Sequence, residues 1–301
     1  MSGLEIQTQH WRFIVGDRLK EVAFLKDVLG MKILRHEEFA KEVGHSTMLR
    51  TSKTFMGYGG PGFFKLELYF SYGVTEYERG NGFLGVTVVS KTAIARAKAL
   101  NWPIEEVSDK VFRIDSPEGF TYYLLNHPTP TECDPIAEIC LRSSYLTATI
   151  AYWPTNIGAK VLSEENDQVT FSFGEEKCKI RFVCWFGELV IHRNGCGCLT
   201  LSMPKRQLQI LEYRSLENNR KHGYLHSIEE PGFVVSCDSL VFQDLDNHRV
   251  VIVEEEGYAP LVSLDPNATN AFDLSIQREQ RRKEQKNTSS SDIDRSNRNK
   301  E

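Results

Sequence analysis

The residues of this chain best suited to chemistry are a histidine and a glutamate set in strand-like segments, His10 in HWRFIV and Glu67 in FFKLELYF. Alternation along FFKLELYF places Lys65, Glu67 and Tyr69 on one face and Leu66, Leu68 and Phe70 on the other, so Glu67 points away from the apolar packing side. An imidazole and a carboxylate are both competent metal donors. Taken singly, they also read as a strand-edge histidine and a solvent-facing glutamate, since exposed Glu is ordinary. A second cluster comprises Cys184, His192, Cys196 and Cys198. Cys196 and Cys198, two apart, share a strand face, but the paired C-x₂₋₄-C spacing of a structural zinc site is missing and buried thiols are expected. The basic run REQRRKEQK is interrupted by Glu279 and Glu284, which suggests i,i+4 pairing on a solvated helix face.

These residues depend on strands, and the strands recur. FLKDVLGMKIL and IAYWPTNIGAKVL share an aromatic-rich helix end, a Gly, a Lys and an apolar strand start, with Gly30 and Gly158 offset by 128 positions. The same offset relates Pro117 to Leu245, both in turns entering a terminal strand, and QHWRFIV to AEICLRS. Each half divides again into a β-α-β-β-β unit. HWRFIV, a helix ending at Gly30, and the strands MKILRHEEF, STMLRT and FFKLELYF make the first; FLGVTVVS, KTAIARAKAL and strands around Val111 and Thr121 make the second. AEICLRS, a helix from Tyr145 to Trp153, and strands near Val161, Val169 and Ile180 make the third. CGCLTLSM, a helix from Pro204 to Arg220 and HRVVIVEEE make the fourth. Pro154 predicts an end or kink in the third helix. His127 to Pro130 form a Pro-rich link. The expected units are residues 5–128, 134–258, and a 259–301 extension that is helical to Lys286 and disordered beyond Asn287.

A chain of 301 residues with 41% hydrophobic content can bury more than one core. Its net charge of −5 lacks the basic excess that a nucleic-acid binder needs. No apolar stretch is long enough to cross a membrane, and the first residues form neither a secretory signal nor a transit peptide, so a cytoplasmic rather than mitochondrial location is expected. Two matches to the glycosylation pattern, at Asn267 and Asn287, carry no meaning without a secretion signal. The seven cysteines are odd in number and expected to be reduced.

The α+β pattern resembles the vicinal oxygen chelate superfamily, to which glyoxalase I belongs. The likeness runs from about Gln9 to Tyr258 through HWRFIVGDR, KDVLGMKILRHEEF, LELYFSYGV, YERGNGFLGVTV, SPEGFTYYL, DPIAEICL, AYWPTNIGAKV and CKIRF. It implies two tandem domains, each a cupped mixed sheet of two βαβββ modules. It also implies metal ligands on the first and last strands of each module, with the metal holding two substrate oxygens while a carboxylate moves the proton. Mapped by that likeness, the first cup has His10 and Glu67, with Glu67 as the catalytic carboxylate, facing Leu84 and Tyr123. The second has Glu138, Arg181, Cys198 and Val251. Leucine cannot coordinate and an unperturbed phenol is a poor donor; Gly85, one register step away, would not restore the set. Two protein ligands rarely hold a metal. The expectation is therefore a degenerate site that binds a small molecule or a protein partner, with Arg181 and Glu138 paired and the second domain metal-free. The alternative is a lactoylglutathione-type lyase using zinc, nickel or manganese at His10 and Glu67, with a third donor from His36, His45 or Glu78.

Overall fold

A computed structural model describes residues 4–43, 47–60, 62–174, 177–217, 224–229 and 236–298. Sixteen strands in this part of the chain form two eight-stranded sheets. The first module comprises β1 (Gln7–Val15), α1 (Arg18–Asp27), β2 (Lys32–Val43), β3 (Thr47–Gly57) and β4 (Lys65–Ser71). The second comprises β5 (Phe83–Val89), α2 (Lys91–Ala99), β6 (Glu105–Ser108), β7 (Val111–Asp115) and β8 (Thr121–Leu125). The third comprises β9 (Ile136–Arg142), α3 (Leu146–Tyr152), β10 (Lys160–Glu164), β11 (Gln168–Ser172) and β12 (Lys179–Val183). The fourth comprises β13 (Cys198–Met203), α4 (Lys205–Glu217), β14 (Tyr224–Glu229), β15 (Ser236–Gln243) and β16 (Arg249–Glu254). The predicted end of α4 at Arg220 lies outside the described residues.

Local sequence accounts for the helices. Asp17 caps α1 by accepting from Lys20 N at 3.1 Å, and Ser90 caps α2 by accepting from Ala93 N at 3.1 Å. The α1 segment turns at Gly30 and the third-module helix at Gly158, with φ of +77° and +81°, so the repeated glycines share a left-handed backbone. At Pro154 the α-helix stops: Trp153–Ile157 widens into a π turn, and Asn156 Nδ2 donates to the Tyr152 carbonyl at 2.9 Å.

The sheets cross the division into residues 5–128 and 134–258. One runs β14-β15-β16-β13-β1-β4-β3-β2 and joins modules one and four; the other runs β10-β11-β12-β9-β5-β8-β7-β6 and joins modules two and three. The short 126–135 connection lays β9 directly against β5, antiparallel, which leaves the edge of β1 free to pair with β13. One continuous core fills the space between the sheets. Phe13 of β1 meets Phe120 at a centroid distance of 4.1 Å, and Phe24 of α1 meets Trp102 and Tyr122 at 5.1 and 5.5 Å.

After β16 the chain forms a short helix, α5 (Glu255–Tyr258), and a 3-10 turn, Ala259–Val262. It then enters α6 (Ala268–Arg298), which lies along β2. Helix continues past Asn287 to Arg298, where the sequence predicts disorder; no Gly or Pro follows Pro266 to stop it. Glu279 does not sit on a purely solvated face. It accepts from the buried Arg18 guanidinium at 3.2 Å, and Arg18 also donates to Glu38 at 2.7 Å and Ser52 at 2.6 Å. No described helix is long and apolar enough to cross a membrane. All seven cysteines are free thiols.

Candidate functional site

His10 and Glu67 meet, because β1 and β4 pair in parallel with Arg12 beside Glu67 and His10 beside Lys65. His10 Nε2 lies 2.8 Å from Glu67 Oε2, and the two side chains are 2% and 1% exposed. Two further residues complete the arrangement. Arg12, two residues after His10 and so on its face, grips Glu67 with Nε to Oε1 at 2.7 Å and Nη2 to Oε2 at 3.2 Å. Tyr258, from beyond the last strand, places its hydroxyl 2.9 Å from His10 Nδ1.

The electrostatics follow from these contacts. Burial alone would raise the Glu67 carboxyl, but Arg12 and then His10 outweigh it and hold Glu67 well below the usual carboxylate range. Burial lowers the His10 pKa, only partly opposed by Glu67. An ionised Glu67 can only accept, so the His10 ring proton belongs on Nε2, 2.8 Å from Glu67 Oε2 though not aligned as a hydrogen bond, and Nδ1 accepts from the Tyr258 hydroxyl.

The partners facing His10 and Glu67 differ from the expected Leu84 and Tyr123. Because β13 lies beside β1, Thr200 stands opposite His10 and Cys198 opposite Arg12, and Val251 on β16 is beside Thr200. Leu84 and Tyr123 belong to the other sheet with Glu138 and Arg181. There, a bulge between Phe83 and Gly85 puts Gly85, not Leu84, opposite Cys140. A Cβ at Gly85 would lie 2.7 Å from the Tyr123 ring, so the phenol rests on the bare glycine backbone. The predicted Arg181–Glu138 pair is present at 2.9 Å, with Thr87 donating to the same Glu138 oxygen at 3.4 Å. Burial raises the Glu138 carboxyl despite Arg181.

These two cups differ in access. Over the first, Tyr258, Leu261 and Val262 pack on Leu34, Phe55, Cys237 and Val253. About 50 Å³ remains between His10, Arg12, Glu67 and this cover, well below the ~300 Å³ at which small-molecule pockets begin. In the second, Arg181 is 30% exposed and Glu138 15%.

A divalent metal does not fit the first cup. Glu67 is held in bidentate fashion by Arg12, His10 Nδ1 is taken by the Tyr258 hydroxyl, and Thr200 and Val251 add no anionic donor. Among the described residues, no group of three or more His, Cys, Asp or Glu could hold a metal ion. The proposed third donors lie elsewhere. His36 bonds Thr54 and Glu38 and packs on Phe272 of α6; Glu78 is exposed beside Arg193; His45 lies outside the described residues. The thiol cluster is also dispersed. Cys198 sits beside the Arg12–Glu67 pair, Cys184 contacts the Ser144 carbonyl, and His192 and Cys196 line a separate cavity.

Arg12 is absent from the residues expected at the site, although its place two residues after His10 on the same strand face is a signal that could have marked it. Tyr258 left no local signal, because only the folded chain brings it over the cup.

Comparison with known proteins places this geometry in context. Residues 85–126 match the family model for the N-terminal part of glyoxalase domain-containing protein 4, and residues 145–261 match the model for the C-terminal domain of its relatives. Glyoxalase domain-containing protein 4 of Mus musculus is 30% identical over 280 residues, covering 89% of this chain and 92% of its own. Glyoxalase 1 of Caenorhabditis briggsae is 27% identical over 288 residues, 90% of this chain and 96% of its own. The crystal structure of glyoxalase I from Zea mays superposes with a TM-score of 0.67 over 85% of this chain and 95% of that one, at 17% identity, a likeness of fold.

Proposed function

We propose that this chain, which belongs to the glyoxalase domain-containing protein 4 family, is a binding protein with a degenerate metal site. Its first cup holds an internal ion pair, and its second cup takes a small polar molecule through Arg181, Glu138 and Thr87. The carrying observation is the Arg12 guanidinium on Glu67, which occupies the carboxylate that a metal would need. The covered first cup and the part-exposed Arg181–Glu138 pair in the second agree with this reading.

The second reading is a metal-dependent lyase of the lactoylglutathione type, working through His10 and Glu67. Their 2.8 Å contact favours it, as do related proteins named for that activity, such as an Arabidopsis thaliana lactoylglutathione lyase that is 28% identical over 178 residues. A protein partner in place of the small molecule is favoured by the loop after β12, where Trp185, Phe186, Leu189 and Ile191 stand exposed. Phe186→Ser would then break co-purification of that partner.

One experiment separates the binding and lyase readings. Protein purified without chelator and then reconstituted with zinc, nickel or manganese is assayed for metal per chain and for turnover of a glutathione hemithioacetal. The expected result is no stoichiometric metal and no product. Stoichiometric metal that disappears in His10→Ala or Glu67→Ala would overturn the degenerate reading. Small-molecule binding is followed by thermal shift, with loss of the shift in Arg181→Ala expected.

A further inference from the structure

Three connections meet at Ser144: the β9–α3 junction, the β12–β13 loop and the β15–β16 turn. Ser144 Oγ accepts from Val190 N at 2.8 Å, its N donates to Asp246 Oδ2 at 2.9 Å, and its carbonyl accepts from the Cys184 thiol at 3.7 Å. Within one or two positions of these contacts stand Tyr145, Trp185, Phe186, Leu189, Ile191 and Leu245. Each is about half exposed or more, and Phe186 is fully exposed.

Together these six residues leave on the order of 700 Å² of largely apolar surface in water, at roughly 200 Å² for a fully exposed side chain of this size. The largest apolar patch of a monomer is ordinarily about 300–600 Å², and a stable interface buries about 800 Å² on each partner. The patch therefore has the size of one half of a dimer interface.

The backbone that carries it is already committed. Asn81 Oδ1 accepts from Ile191 N at 2.7 Å, Asn81 Nδ2 donates to the Leu189 carbonyl at 3.0 Å, and Glu188 N closes a turn on the Trp185 carbonyl at 3.0 Å, with Gly187 at φ +82°. The Arg142 guanidinium lies 4.0 Å from the Trp185 ring centroid and pairs with Glu188. Exposed aromatic side chains on a held backbone lose little freedom on docking, the condition under which a few such residues dominate an interface.

Charge selects the partner. Arg142 and Arg193 beside the patch are each matched, by Glu188 and, at 3.8 Å, by Glu78, so neither supplies the unmatched cation that attracts an anionic membrane. A two-fold contact sets each group near its own copy, and charges paired within one chain avoid the like-charge repulsion this would bring. We propose that the patch is the interface of a two-fold dimer whose other half is a second copy of this chain, with Phe186 of each copy seated among the exposed apolar side chains of the other. The proposal rests on the reading of this loop as a protein-binding surface and names its partner.

Sedimentation equilibrium of the purified full chain, from about 1 to about 200 μM, reads the state, and a monomer–dimer equilibrium with a dissociation constant of roughly 1–10 μM is expected. Each substitution counts twice in a two-fold contact. Phe186→Asp should therefore weaken the dimer by at least about 100-fold, whereas Leu100→Asp, at a similarly exposed leucine closing α2, should change it by less than about threefold. Hydroxyl-radical footprinting needs no variant: oxidation of Trp185 and Phe186 should slow severalfold across that concentration range while that of the exposed Tyr213 stays constant. A chain that remains monomeric throughout, or a dimer that Phe186→Asp leaves intact, overturns the proposal. A monomer that instead captures a different protein, or anionic phospholipid vesicles, through Phe186 overturns the second copy and keeps the loop as a docking surface. A monomer that captures neither removes that reading as well.

Discussion

Arg12 and Glu67 share two hydrogen bonds, 2.7 Å from Nε and 3.2 Å from Nη2, across the parallel strands at the floor of the first cup. Glu67 is 1% exposed and Arg12 29%. Removing one member strands the other, whereas removing both need not cost stability. Arg12→Ala should therefore destabilise the chain by about 2–4 kcal/mol, below the upper range for buried pairs because Arg12 touches solvent. The double variant Arg12→Leu/Glu67→Leu should recover most of that loss. Urea unfolding at pH 7 measures both, and a double variant less stable than Arg12→Ala would contradict this account.

The same carboxylate predicts an acid transition. Folding depresses the Glu67 pKa below its ordinary 4.5, so its contribution is fully present above about that pH and is lost as pH falls toward the folded value. Between pH 5 and pH 3, the urea midpoint of the parent should fall more steeply than that of Glu67→Gln. Parallel curves would show that Glu67 is not ionised in the fold.

The cover of the first cup is tested at Leu261, 3% exposed and packed with Tyr258 and Val262 on Phe55 and Cys237. Leu261→Ala should cost about 2–4 kcal/mol through lost burial and the void left behind. Loosening this cover should also speed alkylation of Cys237, now fully buried. Lost stability without faster alkylation would mean that the segment does not open.

Much of this fold was legible because its signals are local. Gly30 and Gly158 marked equivalent helix ends, and strand alternation put Glu67 on the polar face before any partner was known. Module pairing was not legible. Backbone ladders are generic, so local sequence does not say whether β1 pairs with β5, β9 or β13; in the fold it lies beside β13, with the common core between the sheets. That choice moved Leu84 and Tyr123 away from His10 and brought Thr200 and Val251 to it. Tyr258 and Glu279 were invisible for a related reason: each makes its defining contact, with His10 and Arg18 respectively, more than two hundred residues away.

The shared left-handed backbone of Gly30 and Gly158 supports a paired glycine test. A Cβ at Gly30 would lie 2.3 Å from Arg96 Nη2, which together with Nε donates to the Leu29 and Val28 carbonyls and closes the end of α1. Gly30→Ala therefore combines a left-handed backbone with loss of that cap, and should cost about 2–3 kcal/mol. Gly158→Ala, where the nearest atom is the flexible Leu4 Cδ1 at 2.9 Å, should cost about 1 kcal/mol. The reverse ranking in thermal unfolding would refute the capping role of Arg96.

Glu21 carries a pH dependence of opposite sign to that of Glu67. It is fully buried, its Oε1 has no hydrogen bond, and burial pushes its pKa from 4.5 up to about 7. Between those values the unfolded chain has released a proton that the folded chain retains. Stability should therefore decline as pH rises from about 4.5 and level off above about 7, by a total on the order of 3 kcal/mol. Glu21→Gln keeps the shape of the protonated acid without the ionisation. It should match the parent near pH 4.5 and exceed it by about 1–3 kcal/mol at pH 8, measured by urea unfolding across that range. A variant less stable than the parent at pH 8 would show that Glu21 is held ionised in the fold, with the nearby Arg79 outweighing burial.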